Sequence, residues 1–146
     1  MTPEPADRLR AAGLKVTRGR VAALAALRQH PHSTAEQLHG HLADGGPSMT
    51  AAAVYLALAV MTDHGLLRRI EPAGGPARYE VRVGDNHHHL VCTRCARVVD
   101  VDCVVGEAPC LHPDEVHGFS VATAEITFWG TCPDCASAHK EEGGAA

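Results

Sequence analysis

The chain has 146 residues, 45% of them hydrophobic, and a formal net charge of −4. That length holds one ordinary domain or two small ones, and that composition folds rather than staying disordered. No apolar run approaches the about 20 residues that span a bilayer, and the opening MTPEPADRLR has no apolar core of a secretory signal, so the expectation is a cytoplasmic protein with no membrane partner.

The charge is uneven. Residues 1–82 carry ten basic and seven acidic side chains, a surplus of +3; residues 83–146 carry three and ten, a deficit of −7. A mildly basic first half joined to an acidic second half suits a nucleic-acid module linked to a module of another kind.

In chain order, residues 5–12 read as a short helix ended by Gly13. Thr17 caps a second helix through Val21, Leu24 and Leu27, stopped by His30-Pro31. Ser33 or Thr34 caps a third, with Leu38 and Leu42 on one face. Asp44-Gly45-Gly46-Pro47 breaks the chain. Ser48 or Thr50 opens a fourth helix whose buried stripe is Val54, Leu58 and Met61, ended by Gly65. LLRRIEP and ARYEVRV flank a Gly-Gly-Pro turn and form a hairpin. Small helices closed by a hairpin make a winged helix-turn-helix, in which the helix before the wing enters the major groove. Gly84-Asp85-Asn86 reads as a linker. Beyond it HHHLVC, RVVDVD and FSVATAEITFWG read as three strands, interrupted by a segment with Pro109 and Pro113 that holds a helix or a turn-rich loop. The predicted class is α+β: a winged helix, or a generic small helical domain with a hairpin, over 1–83, a small α/β unit over 84–137, and a disordered tail over 138–146.

Two C-x-x-C pairs, Cys92–Cys95 and Cys132–Cys135, have 36 residues between them. Each turn points two sulfurs at one place, and four thiolates are the tetrahedral set of a structural zinc. Two disulfides or a one-iron redox centre are the alternatives. Cys103 and Cys110 lie outside the quartet and read as small thiols or a secondary redox pair.

His87, His88 and His89 precede the first pair in a β-prone run. Period 2 puts His87 and His89 on one face and His88 with Cys92 on the other, and places Asp100 and Asp102 together on the next strand. Such a nitrogen–oxygen set suits a borderline divalent ion such as Fe(II), Mn(II), Ni(II), Co(II) or Zn(II). A solvated histidine run is the plainer reading.

These residues, in order, resemble the ferric uptake regulator family over nearly the whole chain: GLKVTRGR, HSTAEQL, AVYLALAVMTDHGLLRRIE, RYE, NHHHLVCTRC and WGTCPDC. The pattern looks closest to an actinobacterial branch whose members control a catalase-peroxidase and often their own gene. The resemblance implies a homodimeric, metal-dependent repressor of double-stranded operator DNA and no enzyme, with a winged-helix DNA-binding domain over 1–83 and a dimerisation and metal-binding domain over 84–137. It assigns Cys92, Cys95, Cys132 and Cys135 to structural Zn2+. It assigns His32, Glu80, His87, His89 and Asp100 to a regulatory Fe2+ or Mn2+. Asp at position 100 resembles the peroxide-sensing members, whereas Glu80 stands where the best-known peroxide sensors have Asp. Ala124 replaces a histidine of a third family site, which is therefore not expected.

For DNA, Lys15 resembles the family lysine that enters an A·T-rich minor groove, and Tyr55 the tyrosine that packs on thymine methyls. Arg18, Arg20, Arg68 and Arg69 are candidate phosphate contacts, with Thr50 at the start of the recognition helix. Ala51, Ala52 and Leu56 occupy positions that usually carry polar groups, which shifts weight from direct base readout to shape. An iron-, zinc- or nickel-responsive repressor is the alternative within the family. A small metalloenzyme or electron-transfer protein is the alternative of another class; the few aromatics and the basic wing argue against it.

Overall fold

The computed structural model describes residues 3–85, 87–102, 113–122 and 124–142, the side chains of 139–142 excepted. The chain forms two compact units, Met1–Asp85 and Asn86–Ala146. No described helix is long and apolar enough to cross a membrane.

The first unit begins with α1 (Pro5–Ala11), whose proline sits in the first turn where its missing N–H costs nothing. Thr17 caps α2 (Arg18–Gln29), its side chain accepting from the Arg20 N–H at 3.3 Å. After α2 the chain forms a two-residue strand, β1 (Ser33–Thr34). Thr34 then caps α3 (Ala35–Ala43) through a reciprocal box: its hydroxyl accepts from the Gln37 N–H, and the Gln37 side chain accepts from the Thr34 N–H. Ser33 does not share the task; its hydroxyl donates to the His30 carbonyl at 2.7 Å. Thr50 caps α4 (Ala51–Asp63). Leu24, Leu27, Leu38, Leu42, Val54, Leu58 and Met61 recur at helical spacing and pack with Leu9, Leu66, Leu67 and Tyr79 into one core.

The wing has three strands rather than two. β2 (Arg68–Ile70) and β3 (Arg78–Glu80) are antiparallel, and β1 adds to the other edge of β3 in the order β1-β3-β2. The sequence showed Ser33 and Thr34 only as cap candidates, because two residues become a strand only through a partner's backbone. Arg8 joins α1 to this wing by donating to the Leu66 and Val81 carbonyls. Four small helices and a three-stranded wing make a winged helix, with α4 in the recognition position.

In the second unit β4 (His87–Cys92) lies between antiparallel β5 (Val98–Asp102) and parallel β6 (Thr127–Gly130). The expected third strand over 119–130 is correspondingly shorter: β6 pairs His89 through Cys92 of β4, and the described residues before Thr127 form no ladder. Strand propensity in FSVATAEI is not enough without a neighbour to pair with. α5 (Pro133–Glu142) corrects the disordered tail expected from residue 138: the helix continues to Glu142. It starts at the second C-x-x-C turn, where the Ala136 N–H donates to the Cys132 carbonyl, and its Ala, Lys and Glu residues favour its continuation. The segment holding Cys103, Pro109 and Cys110 lies outside the described residues.

Candidate metal centres and nucleic-acid interface

The cysteine quartet is built by the end of one strand and the start of one helix. β4 delivers Cys92, and the chain then turns back at once, with the Cys92 N–H donating to the Arg97 carbonyl and the Ala96 N–H to the Cys92 carbonyl. Ala96 takes a left-handed φ of 60°, which makes this turn tight. β6 runs beside β4 and ends at Gly130, so Cys132 arrives next to Cys92; its N–H donates to the Cys92 sulfur at 3.4 Å. All four cysteines are free thiols, which removes the two-disulfide alternative. Their sulfurs lie within 4.8 Å of one another. The Cys95–Cys132 separation of 3.7 Å is close to the about 3.8 Å edge of a tetrahedron with zinc–sulfur bonds of about 2.3 Å. The donor set therefore fits a structural zinc and leaves no protein-free coordination position.

The acidities of these thiols differ for stated reasons. The backbone N–H groups of Cys132, Cys95 and Arg94 pull Cys92 down to about 6. Hydrogen bonding with the Cys132 and Cys95 thiols pushes Cys135 up to about 12. Thiols this close cannot all ionise without a cation among them.

The nitrogen and oxygen donors occur in two groups, one in each unit. In the first unit His32 and Glu80 are both buried, and His32 Nε2 lies 3.0 Å from Glu80 Oε2. The β1–β3 pairing brings them together across 48 residues: the His32 N–H donates to the Tyr79 carbonyl, and Arg78 donates to the His32 carbonyl at 2.9 Å. His32 holds a left-handed φ of 62°, a conformation rare for a residue with a side chain and found disproportionately at functional sites.

In the second unit the β4–β5 register sets His89 opposite Asp100 and His87 opposite Asp102. His89 Nε2 is 3.4 Å and His87 Nε2 is 3.7 Å from the same Asp100 oxygen. His88 points to the opposite face, where its ring meets Phe128 edge-on. A buried carboxylate against an imidazole, and two buried imidazoles around one aspartate oxygen, are donor sets suited to a borderline divalent cation.

Of the residues expected to meet DNA, Lys15, Arg18, Thr50, Tyr55 and Arg69 are exposed, and Arg20 is half-buried. Tyr55 and Leu56 stand on the outer face of α4, 58% and 67% exposed. Arg20 donates to the Lys15 carbonyl and so fixes the loop before α2. The Thr50 hydroxyl is engaged in its helix cap. Arg69 pairs with Glu71; the Tyr79 oxygen, then Glu71, push its pKa up. Arg68 faces Glu80 instead, Nε to Oε1 3.8 Å, on a side chain only 18% exposed. Sequence reasoning missed this pairing and the role of Arg78. Both follow from strand register, which an arginine and a glutamate on facing arms of a hairpin suggest but do not fix.

Comparison with known proteins agrees with this geometry. The model of the ferric uptake regulator family matches residues 11–129. The transcriptional regulator FurA of Mycobacterium tuberculosis is 50% identical over 133 residues, covering 91% of this chain and 90% of that protein. The ferric uptake regulator of Pseudomonas aeruginosa, solved with manganese, shares the fold with a TM-score of 0.66 at 27% identity, over 88% of this chain and 98% of that one. The peroxide stress regulator of Campylobacter jejuni matches with a TM-score of 0.52 at 25% identity, over 66% and 67% of the two chains. A winged helix followed by a four-cysteine, zinc-type unit, matched by that family over most of its length, means that this chain belongs to the ferric uptake regulator family.

Proposed function

We propose that this protein is a metal-dependent transcriptional repressor that binds operator DNA as a homodimer, and that its regulatory Fe(II) or Mn(II) is held jointly by His32, Glu80, His87, His89 and Asp100. The observation that carries this reading is the division of the donors: His32 and Glu80 form a buried pair in the winged-helix unit, and the buried His87 and His89 gather around the half-buried Asp100 in the other. A cation that takes ligands from both ties the two units together. It thereby removes in advance part of the ordering cost of presenting two recognition helices to two half-sites. Metal affinity and operator affinity are then reciprocally linked. Driving a switch from mostly open to mostly closed takes about 5.5 kcal/mol of differential binding, a scale that five ligands supply. Zinc in the cysteine quartet stabilises the second unit and takes no part in the switch.

On the DNA, α4 enters the major groove with Tyr55 toward thymine methyls, Lys15 enters the minor groove, and Arg18, Arg20 and Arg69 reach phosphates. The signal is peroxide. Asp100 supports this, and among the similar structures is one of a peroxide stress regulator. Ferrous iron, when bound, would activate the peroxide; the chain's part is to hold an imidazole, His32 or His89, whose ring C–H takes up one peroxide oxygen and supplies the two electrons, while the other oxygen leaves as water. Losing that ligand releases the winged-helix unit and the DNA. Glu80 in place of aspartate favours a second reading, in which metal availability is itself the signal.

A gel-shift with DNA from upstream of the protein's own coding region separates these. Retardation should require Fe(II) or Mn(II), disappear with EDTA, and for the Fe(II) form disappear on peroxide, with +16 Da on a peptide containing His32 or His89. Release by chelator alone, with peroxide inert, supports the metal-sensing reading. Retardation indifferent to metal removes both.

A further inference from the structure

We infer that Arg68 is a resident counter-ion of Glu80 that opposes the regulatory metal, and that this arginine sets the metal concentration at which the repressor responds. The inference rests on the reading of His32 and Glu80 as metal ligands. The wing register places Arg68 directly opposite Glu80, on the same face of β2–β3. Glu80 is 1% exposed, and its two oxygens are divided: Oε2 faces His32 Nε2 at 3.0 Å, and Oε1 faces Arg68 Nε at 3.8 Å.

A metal shared with His32 takes the first oxygen. Arg68 is then left on the other oxygen of the same carboxylate. The guanidinium cannot shed its proton to make room, and with so little solvent around it the repulsion between the two cations is poorly screened. Its neighbours on the wing do different work. Arg69 pairs with Glu71, and Arg78 secures the His32 backbone. Among the described arginines of the wing strands, Arg68 is the one set against Glu80.

The effect has a sign that damage to the fold cannot imitate. The full chain, with zinc in the cysteine quartet, is titrated with Co(II), and this second metal equivalent per chain is followed by its visible d–d absorption. Arg68→Gln should bind that equivalent about tenfold or more tightly than the native chain, because one unit of positive charge has left a poorly solvated site. Arg68→Met, neutral and without donors, should do the same. Arg68→Lys keeps the charge and should stay within about threefold of the native affinity.

Unchanged or weaker Co(II) binding by both neutral variants overturns the inference. So does a variant that binds Co(II) as the native chain does but loses DNA affinity with a shallower salt dependence, the mark of a phosphate contact. His32→Asn tests the underlying reading separately. If it leaves the second equivalent unaltered, His32 is not a ligand, and both conclusions fall.

Discussion

Cys92 is the thiol that the fold prepares first. Three backbone N–H groups converge on its sulfur and favour the thiolate, which holds its pKa at about 6 against an ordinary 9.0. A folded pKa below the unfolded one contributes stability that is fully present above about pH 9 and is lost as pH falls through about 6. Cys92→Ser should therefore weaken zinc retention at pH 7 by about tenfold or more, measured by competition with a chromophoric chelator. Zinc held as tightly as by the native chain would show that Cys92 is not one of its ligands. The cysteines were legible in the sequence because each pair is a local turn whose spacing alone points two sulfurs at one place. His87, His89 and Asp100 were nearly as legible, since alternation along a strand assigns faces. His32 and Glu80 were found only through family resemblance, because 48 residues separate them and a two-residue strand brings them together.

At the level of elements, the segment from His32 to Gln37 serves three neighbours in a few residues. It supplies a buried imidazole, extends the wing, and starts α3. Removing the cap hydroxyl with Thr34→Ala should cost about 1 kcal/mol, the usual value of an N-cap, measured by urea denaturation of zinc-loaded protein. A loss under about 0.3 kcal/mol would mean that strand pairing with Arg78 holds the helix start without the cap. The four helices of the first unit were read from the sequence to within a residue or two because capping residues and apolar spacing agree at each end. Strands were less legible. The 119–130 run is rich in strand-forming residues, yet among its described residues only Thr127–Gly130 form a ladder with β4. α5 as a whole was missed for the opposite reason: a polar, weakly amphipathic stretch gives no signal of burial, although its residues favour helix.

The two units draw their stability from different sources. The first has a continuous core of leucines, Val54 and Met61 with no cysteine in it. In the second, the buried apolar side chains among the described residues are Val91 and Cys92. A unit with so little buried apolar surface depends on its metal. Removing zinc with a strong chelator and a reductant should therefore abolish amide-exchange protection in β4, β5, β6 and α5, and leave α2 and α4 protected, as read by mass spectrometry. Joint loss of both units would contradict the assignment of the quartet to local folding. The uneven charge of the sequence, +3 against −7, falls into the same two parts as the fold, whose boundary follows Asp85, one residue past Gly84 with its φ of 77°.

The left-handed backbone at His32 changes how experiments at that position must be interpreted. Alanine there would remove the imidazole and also force a poorly tolerated conformation on a residue with nothing to offset it, so any loss of response would mix two causes. Asparagine accepts that conformation far more readily and isolates the first. The same constraint narrows what could ever replace the histidine, since few side chains both tolerate this backbone and donate an electron pair.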